Sequence, residues 1–154
     1  MTRLMKDKNG SAHLWAIFIL LVVVMLTIVI YNGVTVYTKY QTAETELQRA
    51  VTVTVDDSLQ NAAVRDLVLD VPADDAEELL FDHLRELGYE RSGADWTKRV
   101  DGKTVYTLTG LTVQTDGRNM MITAVLAIPL LWDTDSAAVV RIPIQAQSSI
   151  LYIE

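Results

Sequence analysis

The sequence predicts an α+β protein. A single N-terminal transmembrane helix extends into a long helix, and a small antiparallel β-sheet domain packs against it. Three observations carry this expectation. Leu14–Tyr31 is an eighteen-residue apolar run in which Thr27 is the only clearly polar member. Beyond it, apolar residues keep helical spacing for another ten turns or so. From Lys103 onward the hydrophobic period changes to two.

The apolar run sits in a stretch, Asn9 to Thr38, that contains no Asp, Glu, Lys or Arg. At ~1.5 Å per residue, eighteen helical residues span ~27 Å, close to the ~30 Å hydrocarbon core of a bilayer. Trp15 and Tyr31 lie at its two ends, where amphipathic rings favour the headgroup layer, so both are expected as membrane-interface anchors. A helix is required there, because only a helix satisfies its own backbone polar groups in lipid. A soluble core helix would keep one polar face, and this run has none. A cleaved secretory signal has an apolar region of ~7–15 residues and an A-x-A-like site, and neither fits.

The expected boundaries are a cytoplasmic tail over 1–10, a transmembrane helix over 11–33, a helical stalk over 34–71 and an extracytoplasmic α+β domain over 72–154. In the stalk, Val36, Tyr40, Ala43, Leu47 and Ala50 are spaced 4-3-4-3. Val51, Val55 and Leu59 continue that stripe, followed by Ala62, Ala63 and Leu67. Asn32-Gly33 is a turn signal that could kink the helix. Val51–Val55, VTVTV, also suits a strand, but the four-residue spacing on both sides favours helix. The stalk is expected to run to about Leu69, with Pro72 ending it.

A second helix is expected at about Asp74–Leu87. Asp74 would cap it, Glu77 would complete a capping box, and Ala76, Leu80, Leu84 and Leu87 would be buried. Gly88 terminates it. Arg91–Asp95 reads as a loop and Trp96 as packed on the domain. Lys103–Thr115 reads as a strand with a bulge at Gly110, and Asp116-Gly117 as a hairpin turn. Asn119–Leu131 is apolar on both faces and is placed in the middle of the sheet, with Pro129 at its end or at a bulge. Val140, Ile142, Ile144 and Ala146 alternate with polar residues, and Pro143 puts that strand at an edge. Ser148–Glu154 is expected to pack down. The sheet should have three or four strands.

Charge divides about the apolar run. Residues 1–13 hold three basic residues and one acidic, a net of +2, and residues 32–154 carry −9. The positive-inside rule puts the basic flank in the cytoplasm and the acidic domain outside. An acidic domain is a poor partner for nucleic acid or anionic lipid. Cysteine is absent, which removes disulfides, thiolate nucleophiles and Cys-ligated metals. The acidic cluster Asp66, Asp70, Asp74, Asp75, Glu77, Glu78, Asp82 and Glu86 has the oxygen density of a calcium site. It lacks EF-hand spacing and reads as a solvated helix face. Asp133 and Asp135 are ordinary turn formers. His13 and His83 have no companion ligands in sequence, and a zinc site needs three or four. No serine stands in a G-x-S-x-G elbow and no glycine loop cradles phosphate. No catalytic residue, metal or cofactor is expected.

The junction Arg3…Lys6-Asp7-Lys8-Asn9-Gly10-Ser11-Ala12, followed at once by the apolar helix, resembles a type IV prepilin. The whole chain resembles the TadE-like minor pilins of the tight-adherence (Tad) apparatus in its layout. The resemblance implies cleavage after Gly10 to leave Ser11 as the new N-terminus, and a structural role in a bacterial pilus or secretion machine. It also implies partners in the lipid bilayer and in other pilin-like or assembly subunits. The family commonly has glutamate at the fifth residue after the cut, where this chain has Trp15. The alternative role is an unprocessed single-pass membrane interaction or assembly module.

Overall fold

A computed structural model describes residues 8–64, 73–116, 119–130 and 138–149. Among these residues two helices and five strands follow one another: α1 (Lys8–Val64), α2 (Ala73–Glu86), β1 (Tyr89–Ser92), β2 (Asp95–Val100), β3 (Lys103–Asp116), β4 (Asn119–Pro129) and β5 (Val139–Ser149). The chain divides into two compact units, 1–35 and 36–154. The α+β class holds.

α1 is unbroken for 57 residues and passes through Asn32-Gly33 without the break that this turn signal allowed. Within the second unit its inward stripe is Ala43, Leu47, Ala50, Val51 and Val55, all buried, with Val36 and Tyr40 partly so. The VTVTV segment is helical, and burial there follows the helical period: Val51, Thr54, Val55 and Ser58 face inward, and Thr52 faces out. The hydroxyl groups of this stretch find their partners within the helix. Thr52, Thr54 and Ser58 each donate a hydroxyl to the carbonyl four residues back, at 2.9, 2.8 and 2.7 Å. The buried hydroxyls of Thr54 and Ser58 are thereby satisfied inside the helix. The expected end near Leu69 and the stop at Pro72 lie outside the described residues.

α2 places Ala76, Leu80 and Leu84 in the core, as their spacing requires. It begins at Ala73, so Asp74 is its second residue and not the residue preceding it, which corrects the expected capping position. Gly88 follows it with φ +83°, and its N–H donates to the Arg85 carbonyl at 2.9 Å. This is the left-handed exit that glycine permits at lowest cost.

The sheet is a five-stranded antiparallel meander in the order β1-β2-β3-β4-β5. The expected loop over Arg91–Asp95 is a hairpin instead. Ser92 pairs with Asp95 across Gly93-Ala94, and Gly93 has φ +66°, the pattern of a type II′ turn. The next turn, Asp101-Gly102, has both residues at positive φ (52° and 77°), a type I′ turn. These two tight turns add the strands that raise the count to five. The bulge is where Gly110 placed it. The β3–β4 register shifts between Thr109 and Thr112, and Gly110 has φ +62°. β4 is interior, paired with both β3 and β5, but β3 is the central strand. β4 buries Met120, Ile122, Ala124, Leu126 and Ile128 on one face only, while Val125 on the other is 37% exposed. Pro129 is its last residue, and Pro143 lies in the edge strand β5. Ser148 and Ser149 belong to β5, and the rest of the C-terminal segment, like Asp133 and Asp135, lies outside the described residues.

One face of the sheet thus shares its core with α1 and α2. Leu47, at the centre of the stripe, is fully buried. Leu47→Ala should lower unfolding stability by about 2–5 kcal/mol, and Thr52→Ala should change it by less than about 0.5 kcal/mol. Denaturation of the full chain in detergent micelles measures both.

Candidate functional site

In the first unit the candidate surface is the helix itself. Every large apolar side chain from Leu14 to Tyr31 is exposed, most by more than half. The Thr27 hydroxyl donates to the Val23 carbonyl at 2.8 Å, so the one polar side chain of the run is satisfied by its own helix. Trp15 is 63% exposed and meets Phe18 edge-on, with centroids 6.0 Å apart. Tyr31 is 57% exposed. Gly10 and Ser11 lie within α1 near its start. α1 is long and apolar enough to cross a membrane. Just inside the second unit, Tyr37 is exposed as well, and the Gln41 amide donates to its phenol at 2.7 Å. The signal for it was available: it is the last aromatic ring before Lys39, the first charged residue after the run.

In the second unit the notable polar group is Glu46. On a helical wheel it falls beside Ala43, Leu47 and Ala50, on the inward side of α1. Its partners come from three neighbouring strands. The register pairs Tyr89 with Lys98 and Lys98 with Tyr106, so the three side chains form one cross-strand row over β1, β2 and β3. Glu46 lies over that row. Tyr89 and Tyr106 each donate a phenol proton to Oε2 at 2.7 Å, and Lys98 Nζ donates to Oε1 at 3.0 Å. Lys98 also donates to the Leu87 carbonyl at the end of α2, and its ammonium lies 5.0 Å from the Tyr89 ring centroid. The two phenol oxygens are 3.1 Å apart. With both protons spent on Oε2, that close approach is held by the carboxylate they share.

Both Glu46 and Lys98 side chains are largely shielded, at 22% and 16% exposure. Burial alone pushes the Glu46 carboxyl up, but the hydrogen bonds from Tyr106, Tyr89 and Lys98, with the Lys98 charge, outweigh it and hold the carboxyl below its ordinary value. Burial, and then the neighbouring phenol and carboxylate, push Tyr89 well above the ordinary phenol range. Tyr106 is also raised, by burial and by Glu46, although its bond with Tyr89 opposes the shift. Both carboxylate oxygens are engaged by donors. The cluster is a closed fastening of helix to sheet.

His83 stands apart from it. Its Nε2 is 3.1 Å from Asp57 Oδ2 and its Nδ1 3.5 Å from Glu86 Oε2. The Asp57 contact is within ion-pair range but not aligned as a hydrogen bond, which leaves buried Nε2 without one. The two ring nitrogens point to different carboxylates, so the three groups do not converge on a point. Among the described residues, no group of three or more His, Asp or Glu is arranged to hold a metal ion. Glu78, Asp82 and Glu86 lie on α2, where Asp82 pairs with Arg85 at 2.5 Å. Asp66 and Asp70 lie outside the described residues.

Comparison of this chain with protein-family models, with characterised proteins and with solved structures gives no match.

The Glu46 fastening predicts an acid-sensitive stability. A carboxyl held low in the fold contributes fully above its unfolded value of about 4.5. That contribution is lost as pH falls through the lower folded value. Glu46→Gln should cost about 1–3 kcal/mol at pH 7, and the gap from the parent should narrow below about pH 4.5. Urea denaturation at pH 7 and pH 3.5 reads both numbers.

Proposed function

We propose that this chain is a membrane-anchored structural subunit, of the minor-pilin or pseudopilin kind, in a bacterial pilus or secretion apparatus. It acts by packing its apolar helix against lipid and other apolar helices and by displaying its α+β domain outside the cytoplasm. The observation that carries this reading is the exposure of the whole apolar run, Leu14–Tyr31, on a helix long enough to cross a bilayer. In water such a surface is unstable; lipid or a neighbouring apolar helix covers it. The +2 flank at residues 1–13 supports a cytoplasmic N-terminus. The Gly10-Ser11 junction before the run and the helix-then-antiparallel-sheet order support the pilin-like character. The closed hydrogen bonding of the Glu46 cluster supports a structural role over a catalytic one.

A second reading is an unprocessed membrane interaction module with the same topology. Trp15 favours it. A free Ser11 amine one turn away would have no carboxylate to compensate it, since no acidic residue occurs between Asp7 and Glu44.

Mass spectrometry of protein from its native host separates the two. A processed subunit starts at Ser11, and Gly10→Val blocks the cut, because the processing site must admit a residue with almost no side chain. In a processed subunit, Trp15→Glu keeps or improves assembly by placing a carboxylate one turn from the new amine. A native chain retaining residues 1–10 excludes the processed subunit. Trp15→Glu then only raises the cost of insertion, by at most ~2.5–3.5 kcal/mol if deep in lipid.

A further inference from the structure

Among the described residues, β5 is the outermost strand of the sheet and pairs with β4 alone. Along an antiparallel pair each residue directs both its N–H and its C=O either at the partner strand or away from it, in alternation. Gln147 fixes the phase. Gln48 on α1 donates its side-chain amide to the Gln147 carbonyl at 2.7 Å, and the Gln147 N–H donates to Gln48 Oε1 at 3.4 Å. Both backbone groups of Gln147 therefore point away from β4. By alternation the same holds for Gln145, Pro143, Arg141 and Val139. A side-chain amide carries one acceptor and one donor group in the spacing of a peptide unit, so Gln48 meets β5 as a sixth strand would. Four residues before Gln147, Pro143 occupies a position whose N–H would face the open edge, and proline has none. Two residues further back, exposed Arg141 places a cation at that edge.

We infer that Gln48, with Pro143 and Arg141, is an edge guard that keeps β5 from pairing with the β5 strand of a second copy. An unguarded strand of eleven residues offers a row of free backbone donors and acceptors to any chain carrying the same edge. A second copy is the occupant the guard excludes, because antiparallel pairing about a two-fold axis presents identical edges to each other. The hazard is acute for chains concentrated side by side, as the proposed role requires, but the inference does not depend on that role. Gln48 is exposed and outside the apolar stripe, so its removal leaves the core intact.

The test uses the full chain in detergent micelles. Gln48→Met keeps the length of the side chain and removes its amide. In that variant the Gln147 amide proton should exchange about tenfold faster than in the parent, while the amides of core residues Ile122 and Leu126 keep their rates. Because the chain has no cysteine, Gln145→Cys gives a single reporter on β5. Under mild oxidation the Gln145→Cys protein should stay monomeric, and the same protein with Gln48→Met and Pro143→Thr should yield disulfide-linked dimers that increase with protein concentration. Unchanged Gln147 exchange in Gln48→Met, or equal dimer yield with and without the guard residues, overturns the inference.

Discussion

The structure depends on one helix meeting two environments. Between His13 and Tyr31 α1 turns apolar side chains outward in every direction, and between Ala43 and Val55 it turns a narrow apolar stripe inward. The sheet's inner face, with Leu108, Ile122, Leu126 and Ile128 fully buried, needs that stripe. Among its described side chains α2 adds Ala76, Leu80 and Leu84 as buried residues, and at fourteen residues it is too short to cover five strands alone. Hydrophobic burial is non-directional, and a stripe of Ala, Leu and Val would tolerate sliding along the sheet. What fixes the position is polar. Glu46 meets Tyr89, Lys98 and Tyr106 in one geometry, and a shift of one helical residue would leave a carboxylate and an ammonium shielded and unpaired.

That arrangement also makes a division of labour along this stretch of α1. The stripe supplies the driving force through Leu47, Val51 and Val55. The Glu46 cluster supplies register at one end of β1–β3, and the Gln48–Gln147 contact supplies it at the edge of β5. Both polar contacts come from a single turn of α1, and they engage opposite ends of the strand order. Hydrogen bonds are directional, so these contacts add a lateral constraint that apolar packing alone does not supply.

Much of this was legible in the sequence. The 4-3-4-3 spacing of Val36 to Ala50 gave the inward stripe, the period-two alternation gave β3 and β5, and Gly110 and Pro143 marked the bulge and the edge. The VTVTV run was ambiguous locally, and the four-residue spacing on both sides decided it for helix, as the burial of Val51, Thr54 and Val55 bears out. The β1–β2 hairpin escaped because strands of four and six residues bury only Tyr89 and Trp96 in full, which leaves no apolar alternation to read. Its sequence signals were Gly93 at its own turn and Asp101-Gly102 at the turn that leads on to β3. The Glu46 cluster escaped for a different reason. Glu46 is separated from its partners by 43 to 60 residues, and only the strand register brings those partners into a row. The one clue was a glutamate on the wrong side of an amphipathic helix.

The account's central claim is that the two halves of α1 are solvated differently, the first by a bilayer and the second by the sheet and water. The cysteine-free chain allows a direct measurement. Single cysteines placed in turn at Trp15, Leu20, Met25, Ile30, Thr38, Glu44 and Arg49 are challenged with a membrane-impermeant maleimide in intact cells. The account predicts labelling at Thr38, Glu44 and Arg49 and none at Leu20, Met25 or Ile30. Labelling at Leu20, Met25 and Ile30 equal to that at Glu44, or protection of Thr38, Glu44 and Arg49 until the cells are permeabilised, would contradict it.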